Sequence, residues 1–162
     1  MTAQRSILSI LAEEGCCTAD EIATRLGLDP AEVRRLIEQM ERDHVILGYH
    51  ALVDWERAGE SKVFAFIEVK ANPERGAGFD ALAAHIAAFP EVHSVHLISG
   101  THDLNVVLEG DDFREIALFV SEKLAPLPQV VGTATSFVLK TYKLDGQLVV
   151  RDGADHRLPV VP

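Results

Sequence analysis

The sequence has few cysteines, no long apolar run and few basic residues, and each shortage excludes a class of protein. Its two cysteines, Cys16 and Cys17, are adjacent. They cannot join distant segments through disulfides, which favours a reducing compartment. No run of about 18 apolar residues is present, so we expect no transmembrane helix. The first residues lack the pattern of a signal peptide, which predicts a cytoplasmic protein.

The overall charge is acidic, with 15 basic against 25 acidic residues and a formal net charge of −10. Neutralisation of phosphates supplies most non-specific affinity for nucleic acids, so this balance argues against a general polyanion binder. A local basic face remains compatible with it. The 162 residues are 48% apolar, which is enough for a packed core in one domain or in two small ones.

Residues 1–55 have the pattern of three helices followed by a strand. Amphipathic spacing predicts a first helix that ends at Gly15 and a short second helix that stops at Gly27. The third helix is expected to begin at Asp29-Pro30, a cap followed by a proline at the first helical position. A short helix, a tight turn and a longer helix are typical of a helix-turn-helix, although an ordinary three-helix bundle has the same periodicity. The extended pattern of residues 45–53 favours the winged version.

The polar residues 56–61 are predicted to be a linker, and residues 62–150 to form a second domain. Alternating patterns predict strands at 63–69, 92–98, 104–108 and 130–142, with helices between the first two and the last two. This βαββαβ order is that of the ferredoxin-like fold, whose helices cover one face of the sheet. A second copy is the simplest cover for the other face. Asp145-Gly146 predicts a hairpin turn, and residues 151–162 a loose tail.

Two short motifs within this order of elements are similar to those of a known family. Residues 45–54, VILGYHALVD, resemble the wing segment of the Lrp/AsnC regulators of bacteria and archaea. Residues 99–104, SGTHDL, resemble the Gly-x-x-Asp effector turn of that family. The resemblance covers roughly residues 4–143. It implies an α+β protein with an N-terminal winged helix-turn-helix that binds operator DNA. A ferredoxin-like ligand-sensing domain would follow, which binds amino acids and pairs through its sheet into dimers that often build octamers.

The resemblance also implies an effector pocket at a subunit interface. One wall would be formed by Gly100, Thr101, His102, Asp103 and Leu104, and another by Thr133 and Thr135. Physical reasoning supports this site, because a glycine permits a tight turn whose N–H groups face a carboxylate. Asp103 has the chemistry to accept hydrogen bonds from an α-ammonium group, or alternatively to bond its own backbone in the turn. A histidine at 102 suggests the hypothesis that effector binding is pH-sensitive.

The candidate DNA contacts lie on the second and third helices: Thr18, Arg25, Arg34, Arg35 and Gln39. Alternatively, the arginines only stabilise the third helix through Arg34–Glu38 and Glu38–Arg42 pairs. Residues 1–55 hold five basic against ten acidic residues, so we expect tight binding only where several domains meet DNA with several sites. The family usually has an arginine near the position of Leu36 and a glycine near that of His44, and this chain has neither.

The sequence therefore predicts a homodimeric transcriptional regulator that binds double-stranded DNA and an amino acid, and the resemblance implies that such dimers can build octamers. One alternative is an amino-acid-sensing oligomer that binds a protein. Another is an enzyme, because siroheme decarboxylases share this two-domain arrangement. We find no nucleophile motif and no phosphate-binding loop, and we expect no cofactor. His93 and His96 suggest a metal site, but residues three apart on a strand point to opposite faces, so we expect none.

Overall fold

The computed structural model describes residues 2–73, 76 and 78–149. They form two compact units that divide between Leu52 and Val53. Each unit has its own cluster of buried apolar side chains. The predicted domain limits at 55 and 62 lie near this division and stay predictions, and the predicted tail, 151–162, lies outside the described residues.

The first unit contains three helices, α1 (Ala3–Glu14), α2 (Ala19–Leu26) and α3 (Pro30–Arg42). The turn between α2 and α3 depends on Gly27, whose φ of 66° lies in the left-handed region that favours glycine. The Asp29 carboxylate then accepts the backbone N–H of Ala31 at 2.6 Å and so caps α3. The core between the helices consists of Ile7, Ile22, Ala23, Val33, Leu36 and Met40. The predicted helix-turn-helix is confirmed.

The strand predicted for residues 45–53 does not form. This segment has no ladder partner, because the described residues of the first unit contain no second extended segment with which it could pair. An unpaired strand leaves its backbone groups to water, so the segment stays irregular. Among the described helices of the whole chain, none is long and apolar enough to span a lipid bilayer.

His44 stands where glycine would be preferred. Its φ of 54° lies in the left-handed region, and the chain leaves α3 there. The following N–H, of Val45, donates to the Met40 carbonyl at 2.8 Å, which closes the end of the helix. This chain therefore has a histidine, where the family usually has a glycine, at a position whose backbone conformation favours glycine.

The second unit begins with a one-turn helix, α4 (Trp55–Ala58). The Asp54 carboxylate accepts the Arg57 N–H at 3.1 Å, and Gly59, with a φ of 84°, ends the turn. The predicted linker, 56–61, thus starts inside a short capped helix.

A four-stranded antiparallel sheet with helices on one face follows. Its elements are β1 (Val63–Ala71), α5 (Asp80–Ala87), β2 (Val92–Leu97), β3 (Leu104–Gly110), α6 (Phe113–Phe119) and β4 (Val130–Phe137). The strand order is β2-β3-β1-β4. After α6 the chain continues directly into a π-helix over Val120–Leu124. This arrangement confirms the predicted ferredoxin-like βαββαβ fold.

The two faces of the sheet differ in burial. Ala65, Ile67 and Val69 of β1 are fully buried against the helices. Phe64 and Phe66 alternate with them and point to the other face, where Phe66 is 44% exposed. We call this side the open face of the sheet.

The predicted strand 130–142 is too long, because β4 ends at Phe137. Phe137 pairs with Ala65, and Val138 donates to Phe64 near the start of β1, so no backbone partner continues beyond it. The predicted hairpin at Asp145-Gly146 is confirmed by two short strands, β5 (Lys143–Leu144) and β6 (Gln147–Leu148).

Candidate functional site

The first candidate site is the exposed face of α3. Arg34 and Arg35 are exposed and Gln39 is half-buried. Leu36, 8% exposed, turns inward to the core. The helix therefore presents the predicted arginines to solvent, as an element that reads DNA requires.

Arg34 is bound by α2 rather than by its own helix. Its guanidinium donates to the Asp20 carboxylate at 3.0 Å. Neither Arg34–Glu38 nor Glu38–Arg42 is an ion pair in the described structure, so the alternative that the arginines stabilise α3 through these pairs is wrong. Arg35 has no carboxylate partner among the described residues.

Arg25 is bound in the same way by α1. Its two terminal nitrogens donate to the two oxygens of Glu14 at 2.6 and 2.9 Å. The Cys17 thiol donates to the same carboxylate at 3.2 Å. Hydrogen bonds from Arg25 and Cys17 lower the pKa of Glu14 to about 2. The hydrogen bond to the Glu14 carboxylate in turn raises the pKa of the Cys17 thiol.

Thr18 is occupied as a cap. Its hydroxyl accepts the backbone N–H of Glu21 at 3.3 Å and donates to the Glu21 carboxylate at 2.8 Å. The Thr18 backbone N–H donates to the same carboxylate, so both halves of a capping box are present. The hydroxyl proton is therefore already used while the box is intact, and the assignment of Thr18 to a DNA contact stays a prediction.

The second candidate site is the turn between β2 and β3, residues 98–103. The Ile98 N–H donates to the Asp103 carbonyl, and the Asp103 N–H to Val69, each at 2.9 Å. The Asp103 carboxylate accepts the Ala71 N–H at 2.9 Å and the Lys70 ammonium at 3.1 Å. These bonds lower the pKa of Asp103.

Asp103 thus extends the β1–β3 pairing by one step. The backbone ladder ends at the pair Val69–Leu104, and the aspartate side chain takes the next N–H of β1. The alternative in which Asp103 bonds its own turn is replaced by a bond to a strand 32 residues earlier. One consequence is that the turn has a fixed position at the end of the sheet.

Two charged residues of β1 adjoin this turn and were not among the predicted site residues. Lys70 pairs with Asp103, and the Glu68 carboxylate lies 3.7 Å from Nδ1 of His102. A strand that alternates apolar and charged residues indicates that Glu68 and Lys70 share a face. It does not indicate which turn they meet, because that depends on strand order.

The other predicted effector residues are placed unequally. Thr101 is exposed, and space is open around Gly100, where neither the backbone nor a described neighbour requires glycine. Leu104 is fully buried in the core, and its place in the wall of an effector pocket stays a prediction. Thr133 pairs with Val69 and Thr135 with Ile67, which puts both threonines on the helical side of the sheet.

His93 and His96 do not follow the expected alternation. A bulge between Val92 and Ser94 shifts the register of β2. The ring of His93 packs edge-on against Phe64 of the open face, with centroids 6.4 Å apart. The expectation that the two histidines point to opposite faces is therefore wrong, although the described residues hold no group of three or more metal-ligating side chains.

Two cavities of the second unit lie at the opposite end of the sheet from the turn. One, of about 160 Å³, is lined by Leu108, Ile116 and Phe119, and one of about 550 Å³ by Lys62, Val92 and Gly110. None of the predicted effector residues lines either cavity.

Two family models match the chain. Residues 64–148 match the Lrp/AsnC ligand binding domain, and residues 2–46 match a winged helix-turn-helix DNA-binding domain. The two matches fall on opposite sides of the division between the units.

Individual proteins are similar over nearly the whole chain. The uncharacterized HTH-type transcriptional regulator YugG of Bacillus subtilis is 42% identical over 98% of this chain and 96% of its own. The leucine-responsive regulatory protein of Salmonella typhimurium is 27% identical over 91% and 89%. The crystal structure of transcriptional regulator NMB0573 of Neisseria meningitidis in complex with L-Met superposes with a TM-score of 0.70 at 28% identity. That match covers 89% of this chain and 92% of the other.

Proposed function

Because the chain belongs to the Lrp/AsnC family of transcriptional regulators, we propose that it regulates transcription in response to an amino acid or a related small metabolite. Family membership makes it a metabolite-responsive DNA-binding regulator and not an enzyme, so the decarboxylase alternative is set aside. It also favours DNA over a protein as the partner of the first unit. The relatives named above are bacterial, and we propose a cytoplasmic location with the DNA.

The arrangement of charge at the turn carries the proposal of an amino-acid effector. The Glu68 carboxylate, 47% exposed, offers oxygens for an α-ammonium group, and the Asp103 carboxylate has lone pairs left beside its bonds to Ala71 and Lys70. Lys70 and the open backbone beside Gly100 offer donors for an α-carboxylate. Groups of both charges thus lie together where the end of β1 meets the turn. The methionine complex of the Neisseria relative supports this class of ligand.

We further propose that the protein works as a homodimer, with octamers as a possible higher assembly. The open face of the sheet carries Phe66, 44% exposed, which a second copy would bury. The turn stands at the end of this sheet, so a copy seated on the open face would also complete the effector site.

The effector would act by changing the assembly or the spacing of the DNA-binding units, with residues 56–61 as the hinge. A ligand shifts such an equilibrium only by its difference in affinity for the two states. Several domains bound to neighbouring sites would together give the affinity that one acidic domain lacks.

A gel-shift titration tests the proposal. The probe is the DNA upstream of the protein's own gene, at two salt concentrations, with and without a mixture of amino acids. We expect stepwise shifts that weaken with salt and that the mixture alters. Absence of any shift at micromolar protein would contradict DNA binding. Tight binding to a single half-site at physiological salt would contradict the multi-site arrangement.

A further inference from the structure

Two of the three arginines assigned to DNA are already bound by carboxylates of a neighbouring helix. Arg34 of α3 is bound by Asp20 of α2, and Arg25 of α2 by Glu14 of α1. Only Arg35 has no carboxylate partner in the described part of the chain. We call Glu14 and Asp20 the carboxylate pair.

Both ion pairs lie at the surface. The side chains of Arg34 and Asp20 are 56% and 70% exposed, and those of Arg25 and Glu14 are 46% and 50% exposed. Solvent-exposed ion pairs are weak, so a phosphate can replace the carboxylate. Before it is replaced, however, Glu14 occupies both terminal nitrogens of Arg25, and Asp20 occupies one terminal nitrogen of Arg34 and holds its side chain towards α2.

We propose that the carboxylate pair competes with DNA for Arg34 and Arg25 and thereby restricts tight binding to DNA that makes enough other contacts. This inference rests on the proposed function, since it assumes that the first unit binds DNA. In the free protein only Arg35, of these three, is open to a passing phosphate backbone. Arg34 and Arg25 join when a fitted site supplies the remaining contacts.

The proposal explains why the helix that binds DNA can belong to an acidic domain. Non-specific affinity grows with the number of phosphates that basic residues neutralise. Two occupied arginines lower that number on random DNA. At a fitted operator the other contacts offset the cost of releasing them, so the carboxylate pair weakens binding to all DNA and leaves only fitted sites tightly bound. Glu14 and Asp20 are positioning residues in this scheme, because they act through the arginines.

The test compares two double variants with the same change of charge. The first, Glu14→Gln with Asp20→Asn, removes the carboxylate pair. The control, Glu13→Gln with Glu32→Gln, removes two exposed acids of α1 and α3 whose side chains have no ion-pair partner in the described structure. Glu13 adjoins Glu14, and Glu32 lies in the first turn of its helix as Asp20 does. Circular dichroism melts confirm that both variants are folded.

Fluorescence anisotropy with random-sequence duplex DNA measures the effect. Each exposed ion pair is worth about 1.4- to fivefold in affinity, so we expect about two- to 25-fold tighter binding without the carboxylate pair. The salt dependence should also steepen, by about 0.9 in the log–log slope for each arginine that gains a phosphate. The control should change affinity by less than about twofold at 0.15 M salt, because neither Glu13 nor Glu32 occupies an arginine donor and salt weakens the remaining electrostatic effect of an exposed charge. Equal gains in both variants would overturn the proposal.

A double-mutant cycle separates competition from the general electric field. Asp20→Asn should tighten binding in the wild-type background and should do nothing in an Arg34→Ala background. An equal gain in both backgrounds would show that Asp20 acts by charge alone and would overturn the proposal. The proposed DNA-binding function would not be affected by that result. Loss of all DNA binding in every variant, including the wild type, would instead contradict the proposed function and the inference with it.

Discussion

The first unit and the turn between β2 and β3 of the second unit use the same interaction, a carboxylate beside a cation, in opposite surroundings. The Asp20 side chain is 70% exposed, and its partner is the mobile end of an arginine. The Asp103 side chain is 18% exposed, and one of its partners is the backbone N–H of Ala71. An exposed pair between two side chains can be exchanged for a ligand. A shielded bond to the backbone shapes the chain.

The difference shows that two properties determine the role of an acidic residue, the exposure of its side chain and the type of donor that it binds. Together they decide whether a ligand can displace the bond or whether the bond fixes the backbone. Water and salt weaken the pairs of the first unit, so they suit a surface that must open to DNA. At the end of β1, the Ala71 N–H has no further backbone partner on β3 once β3 has turned away, so its bond to Asp103 persists. Substitutions in the first unit and in the turn test this difference separately.

The largest effect is expected from the arginines themselves. Arg34→Ala combined with Arg35→Ala should lower DNA affinity by about a hundredfold or more, since each lost arginine contact costs about 1–3 kcal/mol. Arg5→Ala with Arg114→Ala is the control, because it removes the same charge from two exposed residues outside the candidate site. Gel shifts and thermal melts measure binding and folding. DNA binding that survives the first double substitution would contradict the assignment of α3.

A smaller and separable effect is expected from Asp103→Ala. It leaves the Ala71 N–H without its acceptor and releases the turn, so the response to the effector should be abolished while dimers persist. The matched control is Asp111→Ala, an 80% exposed acid of the same unit that pairs with Lys62. Calorimetric titration with amino acids and light scattering measure the two outcomes. An Asp103→Ala protein that still responds would place the effector elsewhere.

The smallest effect is a pH dependence of the first unit. The pKa of Glu14 is lowered from 4.5 to about 2, so the pair with Arg25 stabilises the fold fully above pH 4.5. This stabilisation should be lost progressively as the pH falls from about 4.5 toward about 2, because folding then competes with protonation of Glu14. Urea melts of wild type and Glu14→Gln should therefore differ most at neutral pH and converge in acid. A constant difference would contradict the assignment.

Local chemistry made much of the fold predictable. Gly27 and the Asp29-Pro30 pair marked the turn of the helix-turn-helix, and alternation in Val63–Ala71 marked the central strand. The strand at residues 45–53 was wrongly predicted, because a strand needs a partner and sequence periodicity does not supply one. The bulge in β2 likewise left no trace in the pattern of residues.

The candidate site was predictable only in part. The motif containing Gly100 and Asp103 identified the turn, but the acceptor role of Asp103 depends on a strand 32 residues away. The bond between Arg34 and Asp20 spans 14 residues and two helices. Spacing along one helix suggested Glu38 instead. Contacts of this kind depend on how elements pack, so sequence periodicity does not contain them.

The two hydrophobic cores share no residue, and the chain passes from one unit to the other between Leu52 and Val53. A cut at that junction divides neither core. We therefore expect the second unit to serve by itself as a screening reagent, whose melting temperature reports small molecules without operator DNA. The same junction is also a position at which a different DNA-binding domain can be fused. The ligand-binding unit would then control transcription from a chosen promoter.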